Sequence, residues 1–341
     1  MSWDARAAAA YLDARQAWWS GWQTAARDHQ TACVSCHTAL PFALARPALR
    51  GALHETEPSS AERRMVDDVI KRVSLWREVE PFYPDQTRGL PKTSESRGTE
   101  SVLNALVLAT RDAHVGQPSD DARTAFDNMW ALQFRSGDLS GGWAWLNFHN
   151  EPWEANDSPY LGAALAAIAV GREPGGYAST AENQERLKRL RDYLRKGMAT
   201  QPLLNRAMLL WASGGIADLL SAEERQAVVD TLCARQRADG GWSVASLGQY
   251  KRGDNTPLDT ASDGYATGLV AYALQRAGVG ATDAHVSRAV GWLVEHQDHT
   301  TGTWTASSLN KQRDPKTDIG KFMSDAATAY AVLALTSAGK R

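Results

Sequence analysis

Cysteine is scarce in this chain, three residues in 341, so no disulfide network can substitute for a core. Net charge is nearly absent. The 37 Lys and Arg against 39 Asp and Glu leave −2, which gives no basic footprint for nucleic acid or an anionic membrane surface. Long apolar runs are missing too. The longest, Leu161 to Val170, is about half of what spans a bilayer. The first ten residues, MSWDARAAAA, lack the apolar stretch of a signal peptide. With 43% hydrophobic and 22% charged residues the chain is not a disordered tail, and its length allows one large domain or two ordinary ones.

What the chain does have is tryptophan: 13, against 6 Phe and 9 Tyr. Trp recurs in one setting. Trp130-Ala-Leu-Gln133 runs on to Gly141-Gly142-Trp143, Cys233-Ala-Arg-Gln236 to Gly240-Gly241-Trp242, and Trp292 through Gln297 to Gly302-Thr-Trp304. Each unit leads into an Ala-rich run opened by a small polar pair, near Asp157-Ser158, Ser262-Asp263 and Ser324-Asp325. Self-similarity at this scale marks a repeat architecture.

The alternation continues along the chain. Charged amphipathic runs fall at about 4–29, 61–78, 119–134, 181–196, 221–236 and 283–297. Ser221-Ala-Glu-Glu224 starts one of them like a capping box. Small apolar partners fall at about 36–50, 99–112, 157–171, 202–214, 263–277 and 325–338. A helix apolar all round must be buried, and one with a polar face lies outside. Six outer and six inner helices predict an all-α fold, an (α/α)6 toroid of six hairpins in one domain, 1–341. The first hairpin is 1–55, and the repeats are clearest over 119–341. Pro41 and Pro47 predict a short or kinked first inner helix.

Links from inner to outer helices are short. Four links from outer to inner are long, roughly 79–98, 135–155, 237–261 and 298–323, and long loops are usually functional. All four lie at one end of the toroid, the predicted working face. That face gathers Tyr83, Trp143, Trp145, His149, Trp153, Trp242, Tyr250, His299, Trp304 and Met323.

The Gln…Gly-x-Trp units resemble the repeats of squalene–hopene cyclases and related terpene cyclases, and the architecture is similar to the prenyltransferase β-subunit barrel. The resemblance covers about 119–341. It implies an α/α toroid with an apolar, isoprenoid-sized cavity, and it implies that the repeat Gln and Trp tie hairpins together. The family's chemistry does not carry over by motif. No Asp-x-Asp-Asp occurs, the stretch Leu258 to Asp263 having the wrong spacing. No Asp-Asp-x-x-Asp occurs either, since Asp67-Asp68 and Asp120-Asp121 lack the third Asp. Cys233 reads as a small buried hydrophobe, and the basic run Arg186 to Arg191 as a solvated outer face.

Cys33-Val-Ser-Cys36-His37 has the form of a c-type haem attachment site, with His37 as axial ligand. A Cys33–Cys36 disulfide or free dithiol is the alternative, and a zinc site with His29, Cys33, Cys36 and His37 is a third. The sixth iron ligand would come from His149, His299, Met323, His54 or Met65. Haem c would imply export to the periplasm or beyond, with a leader ahead of Met1.

His37 opens the first inner helix, in register with Glu100, Asp157, Asp263 and Asp325 at the openings of others. Acids in a first helical turn cap the helix and suit its dipole. Converging on one cavity they also repel, and one could keep a proton and act as an acid. Asp157 and Asp263 are the first candidates, with Tyr160, Tyr265 and Trp153 close by in sequence.

Three functions follow from this reading. One is a haem-c protein binding an apolar molecule or lipid, with redox or electron-transfer chemistry at the mouth and an electron-transfer partner. The second is a haem-free cyclase or isomerase using a rim carboxylate. The third is a non-catalytic module that binds a lipid or a protein.

Overall fold

A computed structural model describes residues 2–177 and 180–339. Among the described residues, twelve long helices alternate between two rings. The outer helices are α1 (Ala5–Gly21), α3 (Ser60–Ser74), α6 (Asp120–Ala131), α8 (Ala181–Gly197), α10 (Ala222–Cys233) and α12 (Ala284–Glu295). The inner helices are α2 (Ala39–Ala52), α5 (Lys92–Val115), α7 (Ser158–Arg172), α9 (Leu203–Ser213), α11 (Gly264–Arg276) and α13 (Phe322–Ser337). A single-turn helix, α4 (Asp85–Arg88), sits in the loop before α5. The described strand content is one two-stranded ladder, Ala26–Arg27 with Thr31–Ala32.

The inner ring closes. α2 packs on α5, α5 on α7, α7 on α9, α9 on α11, α11 on α13, and α13 returns to α2. Small side chains permit this. A Cβ on Gly268 of α11 would stand 2.5 Å from the Ala331 nitrogen of α13, so these two helices meet backbone to backbone. α7 is apolar around most of its circumference and buries residues on every side, as a helix walled in by neighbours must. Outer helices bury one stripe, as α8 does through Leu187, Leu190 and Leu194. Ser221 and Glu224 form the capping box that starts α10, and Ser59 and Glu62 form another at α3.

The repeat unit has one mechanical role in three places. Gln133 Nε2 donates to Gly141 O and to Arg186 O of the next outer helix, both at 3.1 Å. Gln236 does the same to Gly240 O and His285 O, both at 2.8 Å. Gln297 donates to Gly302 O (3.1 Å) and Asp4 O (2.9 Å), carrying the pattern from the last repeat back to the first. The Trp indoles tie back to the outer helix of their own repeat: Trp143 donates to Met129 O, Trp242 to Leu232 O and Trp304 to Leu293 O, at 2.7, 2.8 and 2.7 Å. Gly141 has φ +97°, and a Cβ there would lie 2.0 Å from Arg189 O, so only glycine fits.

Two boundaries differ from the sequence reading. α5 starts at Lys92 rather than near 99, which places Glu100 in its third turn instead of at its opening. α1 ends at Gly21, and the segment after it forms the small ladder that leads into Cys33. Pro47 is accommodated inside α2, which runs to Ala52.

Candidate active site at the toroid mouth

The long loops meet where the inner helices begin. Three of the four rim acids have their oxygens occupied by protein. Asp325, in the first turn of α13, accepts from Arg15 Nε (2.8 Å) and Tyr11 Oη (2.7 Å) on α1 and from Thr38 Oγ1 (2.7 Å), beside the start of α2. It fastens the last inner helix to the first hairpin. Glu100 is fully buried and paired with Arg72 of α3 at 2.5 Å. Asp263 caps α11, accepting from Ala266 N (2.8 Å) and from Val244 N (2.6 Å). Burial still raises its carboxyl to about 7.

Asp157 is different. It occupies the N-cap position of α7 but its side chain makes no capping bond. It opens instead on a cleft of about 710 Å³ shared with Glu151, Gln201, Arg206, Arg235 and Tyr250. Glu151 comes from the loop before α7. Asn310 holds that loop in place, accepting from Glu151 N and donating to Glu151 O, each at 2.7 Å. A reciprocal pair between Asn150 and Glu154 closes the turn (3.0 and 2.8 Å), and Trp145 Nε1 donates to Trp153 O at 2.9 Å. Across the cleft, Gly248 lies under the Tyr250 ring. A Cβ there would stand 2.4 Å from that ring.

The electrostatics separate the two acids from ordinary carboxylates. Burial, then the charge of Asp157, raises Glu151 to about 7. Burial also raises Asp157. Tyr250 is pushed well up by burial and by both acids, so it stays a neutral phenol. Two neighbouring carboxyls that cannot both ionise easily retain one proton near neutral pH. The pair can therefore present an acid and a base to one molecule.

The Cys33–His37 segment lies at the same mouth, on the other side of the Trp153 turn. The His37 ring stacks on Phe322 (centroids 3.7 Å) and meets the edge of Trp19 (4.9 Å), with Trp153 at 5.8 Å. Burial, then the charges of Arg15 and Arg313, lowers His37 to about 3, so it is neutral. Cys33 and Cys36 are free and buried. Burial raises Cys33 to about 11 and Cys36 well above the usual thiol range, which leaves both protonated. Of the other iron-ligand candidates only Met323 lines the cavity beside His37. His149 and His299 are exposed elsewhere in the loops. His54 follows the far end of α2, and Met65 lines a separate groove with Pro47 and Val107. The cavity beside His37 is about 140 Å³, below the several hundred Å³ typical of cofactor pockets, so a macrocycle does not fit against His37 as it is packed. Among the described residues no group of three His, Cys, Asp or Glu side chains is placed to hold a metal, which removes the four-ligand zinc arrangement.

Sequence reasoning finds Asp157 but passes over Glu151, Glu154 and Asn310. The signal is present: Glu151-Pro-Trp-Glu154 puts two acids around a Trp in a long loop at the working face. Of the Trp residues assigned to that face, Trp143, Trp242 and Trp304 are buried as repeat locks, while Trp153 is half-exposed at the mouth.

No protein-family description matches the chain, and no curated protein sequence matches it. Solved structures do. A UGL variant described with the sugar chain dGlcA-Glc-Rha-Glc has TM-score 0.52 and 11% identity, covering 97% of this chain and 95% of that one. A protein described as a wild-type glycosidase has TM-score 0.50 and 12% identity, and a glycosidase variant has 0.51 and 11%, each covering 98% of both chains. At such identities the likeness concerns the fold. It agrees with the α/α toroid and overturns the squalene-cyclase reading, since the matching toroids are glycosidases. The apolar or lipid ligand and the haem chemistry at the mouth fall with it, and the polar cleft at Glu151 and Asp157 is the physical reason. A stripe of Gln and Trp fixes how hairpins lock together, and toroids of unrelated chemistry share that need. Among the described residues no helix is long and apolar enough to cross a membrane.

Proposed function

We propose that the chain hydrolyses glycosidic bonds in the cleft between the Glu151–Asp157 loop, the start of α9 and the Tyr250 loop. The observation that carries this reading is the pair itself. Two carboxyls, neither engaged in an ion pair among the described residues, open on one polar cleft, and burial with the charge of Asp157 raises one of them, Glu151, to about 7. Glycoside hydrolysis needs an acid for the departing oxygen and a carboxylate for the opposite side of the sugar. Glu151 gives its proton to the leaving oxygen as the bond to the anomeric carbon breaks. Asp157 takes a proton from the water that adds to that carbon. Gln201, Arg206 and Arg235 supply polar contacts along the cleft, and Tyr250 presents an aromatic wall. The glycosidases with this toroid support the substrate class.

The test is release of reducing sugar from a panel of neutral and acidic oligosaccharides. Wild-type turnover is expected on at least one, with loss of about 10²-fold or more in Glu151→Gln and in Asp157→Asn. Turnover unchanged in both variants would remove the assignment.

A further inference from the structure

The cavity beside His37 and the Glu151 cleft are lined from one loop, Asn150, Trp153 and Glu154 facing the first and Glu151 and Asp157 the second, and the two differ in character. Its walls are aromatic, Trp153 and Phe322 with the neutral His37 ring between them. Its polar edge includes Asn150 and Asn310, whose side chain is fixed by the Glu151 backbone. Arg313 enters from the long loop before α13. It is half-buried, and among the described residues it has neither an ion pair nor a hydrogen bond. Two other arginines at this mouth, buried Arg252 and half-buried Arg206, are engaged. Arg252 is bonded to Ser308 O and Pro257 O, and Arg206 to Gln201 O and Ala199 O. A half-buried guanidinium that no protein group accepts from is open to a ligand, and its planar fork matches a carboxylate. Glu154 shares the cavity, but burial raises it to about 7, so at pH 6 it carries its proton and leaves the Arg313 charge uncancelled.

We infer that this cavity binds the carboxylate of an acidic sugar residue, with Arg313 gripping both oxygens and the Trp153 and Phe322 rings facing the sugar. The sugar part rests on the glycosidase reading above, while the carboxylate part rests on Arg313 alone. A volume of about 140 Å³ holds a single ring rather than a chain, so the remaining units extend toward the Glu151 cleft.

Calorimetric titration at pH 6 with glucuronate, glucose and acetate, on wild type, Arg313→Ala and Arg313→Lys, decides it. Glucuronate is expected to bind wild type at least about tenfold more tightly than glucose does. Arg313→Ala is expected to bring glucuronate to the glucose level without lowering the melting temperature, because Arg313 has no hydrogen bond or ion pair among the described residues. Arg313→Lys should fall between, keeping charge but losing the fork. Acetate binding as tightly as glucuronate, with the same dependence on Arg313, would retain the carboxylate and overturn the sugar. Equal glucuronate affinity in wild type and Arg313→Ala, or no saturable binding, would overturn the site. Hydrolysis of neutral glycosides without preference for acidic ones would sink this inference and leave the Glu151 assignment standing. Arg313-dependent binding without hydrolysis would do the reverse.

Discussion

Glu151 and Asp157 open on one cleft from the two ends of a single turn, and the charge of Asp157 is second only to burial in raising the Glu151 carboxyl to about 7. Asp157 thus helps to set the working state of Glu151. The rate with a responsive glycoside should fall as pH rises through about 7, where Glu151 loses the proton it must donate. It should fall again at low pH, once Asp157 is protonated above the usual carboxylate range. In Asp157→Asn the alkaline limb of the residual activity should move to lower pH, because one cause of the Glu151 shift is gone. A pH profile of kcat/KM for both proteins checks this.

Glu154 gives a stability counterpart. Its carboxyl is about 7 when folded and near 4.5 when unfolded, so the folded state holds the proton more tightly. The contribution is fully present below about pH 4.5, declines as pH rises, and is gone above about 7. Glu154→Gln removes that decline. The variant should match wild type near pH 5 and exceed it by about 2 kcal/mol at pH 8. Urea melts at the two pH values measure the gap. Equal gaps would mean Glu154 is ionised in the folded protein throughout.

The repeat locks should be costly to break. Trp242 is fully buried and bonded to Leu232 O. Trp242→Ala should cost about 3–5 kcal/mol, as large aromatic truncations do. Gln236→Ala leaves Gly240 O and His285 O without their shared donor and should cost about 1–3 kcal/mol. Both should leave the cleft chemistry intact when folded. Denaturant midpoints alongside activity at low temperature separate the two effects.

The Arg72–Glu100 pair should behave as buried structure. Arg72→Met strands the Glu100 carboxylate and should cost about 3–5 kcal/mol. Adding Glu100→Leu should recover part of that loss, since the stranded charge is removed. A double-mutant cycle measures the coupling, and additive losses would deny the pairing.

Cys33 and Cys36 should resist modification. Both thiols are buried with raised proton affinity, whereas Cys233 is half-exposed. Ellman's reagent should find about one reactive thiol in native protein and three after unfolding. Two fast thiols in the native state would place the Cys33 turn at the surface.

The toroid was legible because helix periodicity and the Gln…Gly-x-Trp unit are local signals. Boundaries of the inner and outer runs lie within a few residues of the helices, except where α5 begins early and where α1 ends at Gly21, short of the run to about 29. The site was less legible because capping and catalysis use the same residue types. Asp263 and Asp157 look alike in sequence, yet one is bonded to Val244 and Ala266 while the other faces a cleft. Glu151 becomes visible only when Asn310, 159 residues away, is seen holding its backbone. The Cys33–His37 spacing misled for a similar reason. Spacing records which side chains are near in the chain, while Phe322 and Trp19, which fill the space around His37, come from α13 and α1.

The most direct test is titration of the Glu151 carboxyl by carbon NMR in protein labelled at glutamate side chains, with Glu151→Gln to assign the signal. A midpoint near 7 is expected in wild type and a lower one in Asp157→Asn. A midpoint near 4.5 that does not move in Asp157→Asn would contradict the assignment of Glu151 as the acid, because the cleft would then hold no proton to give.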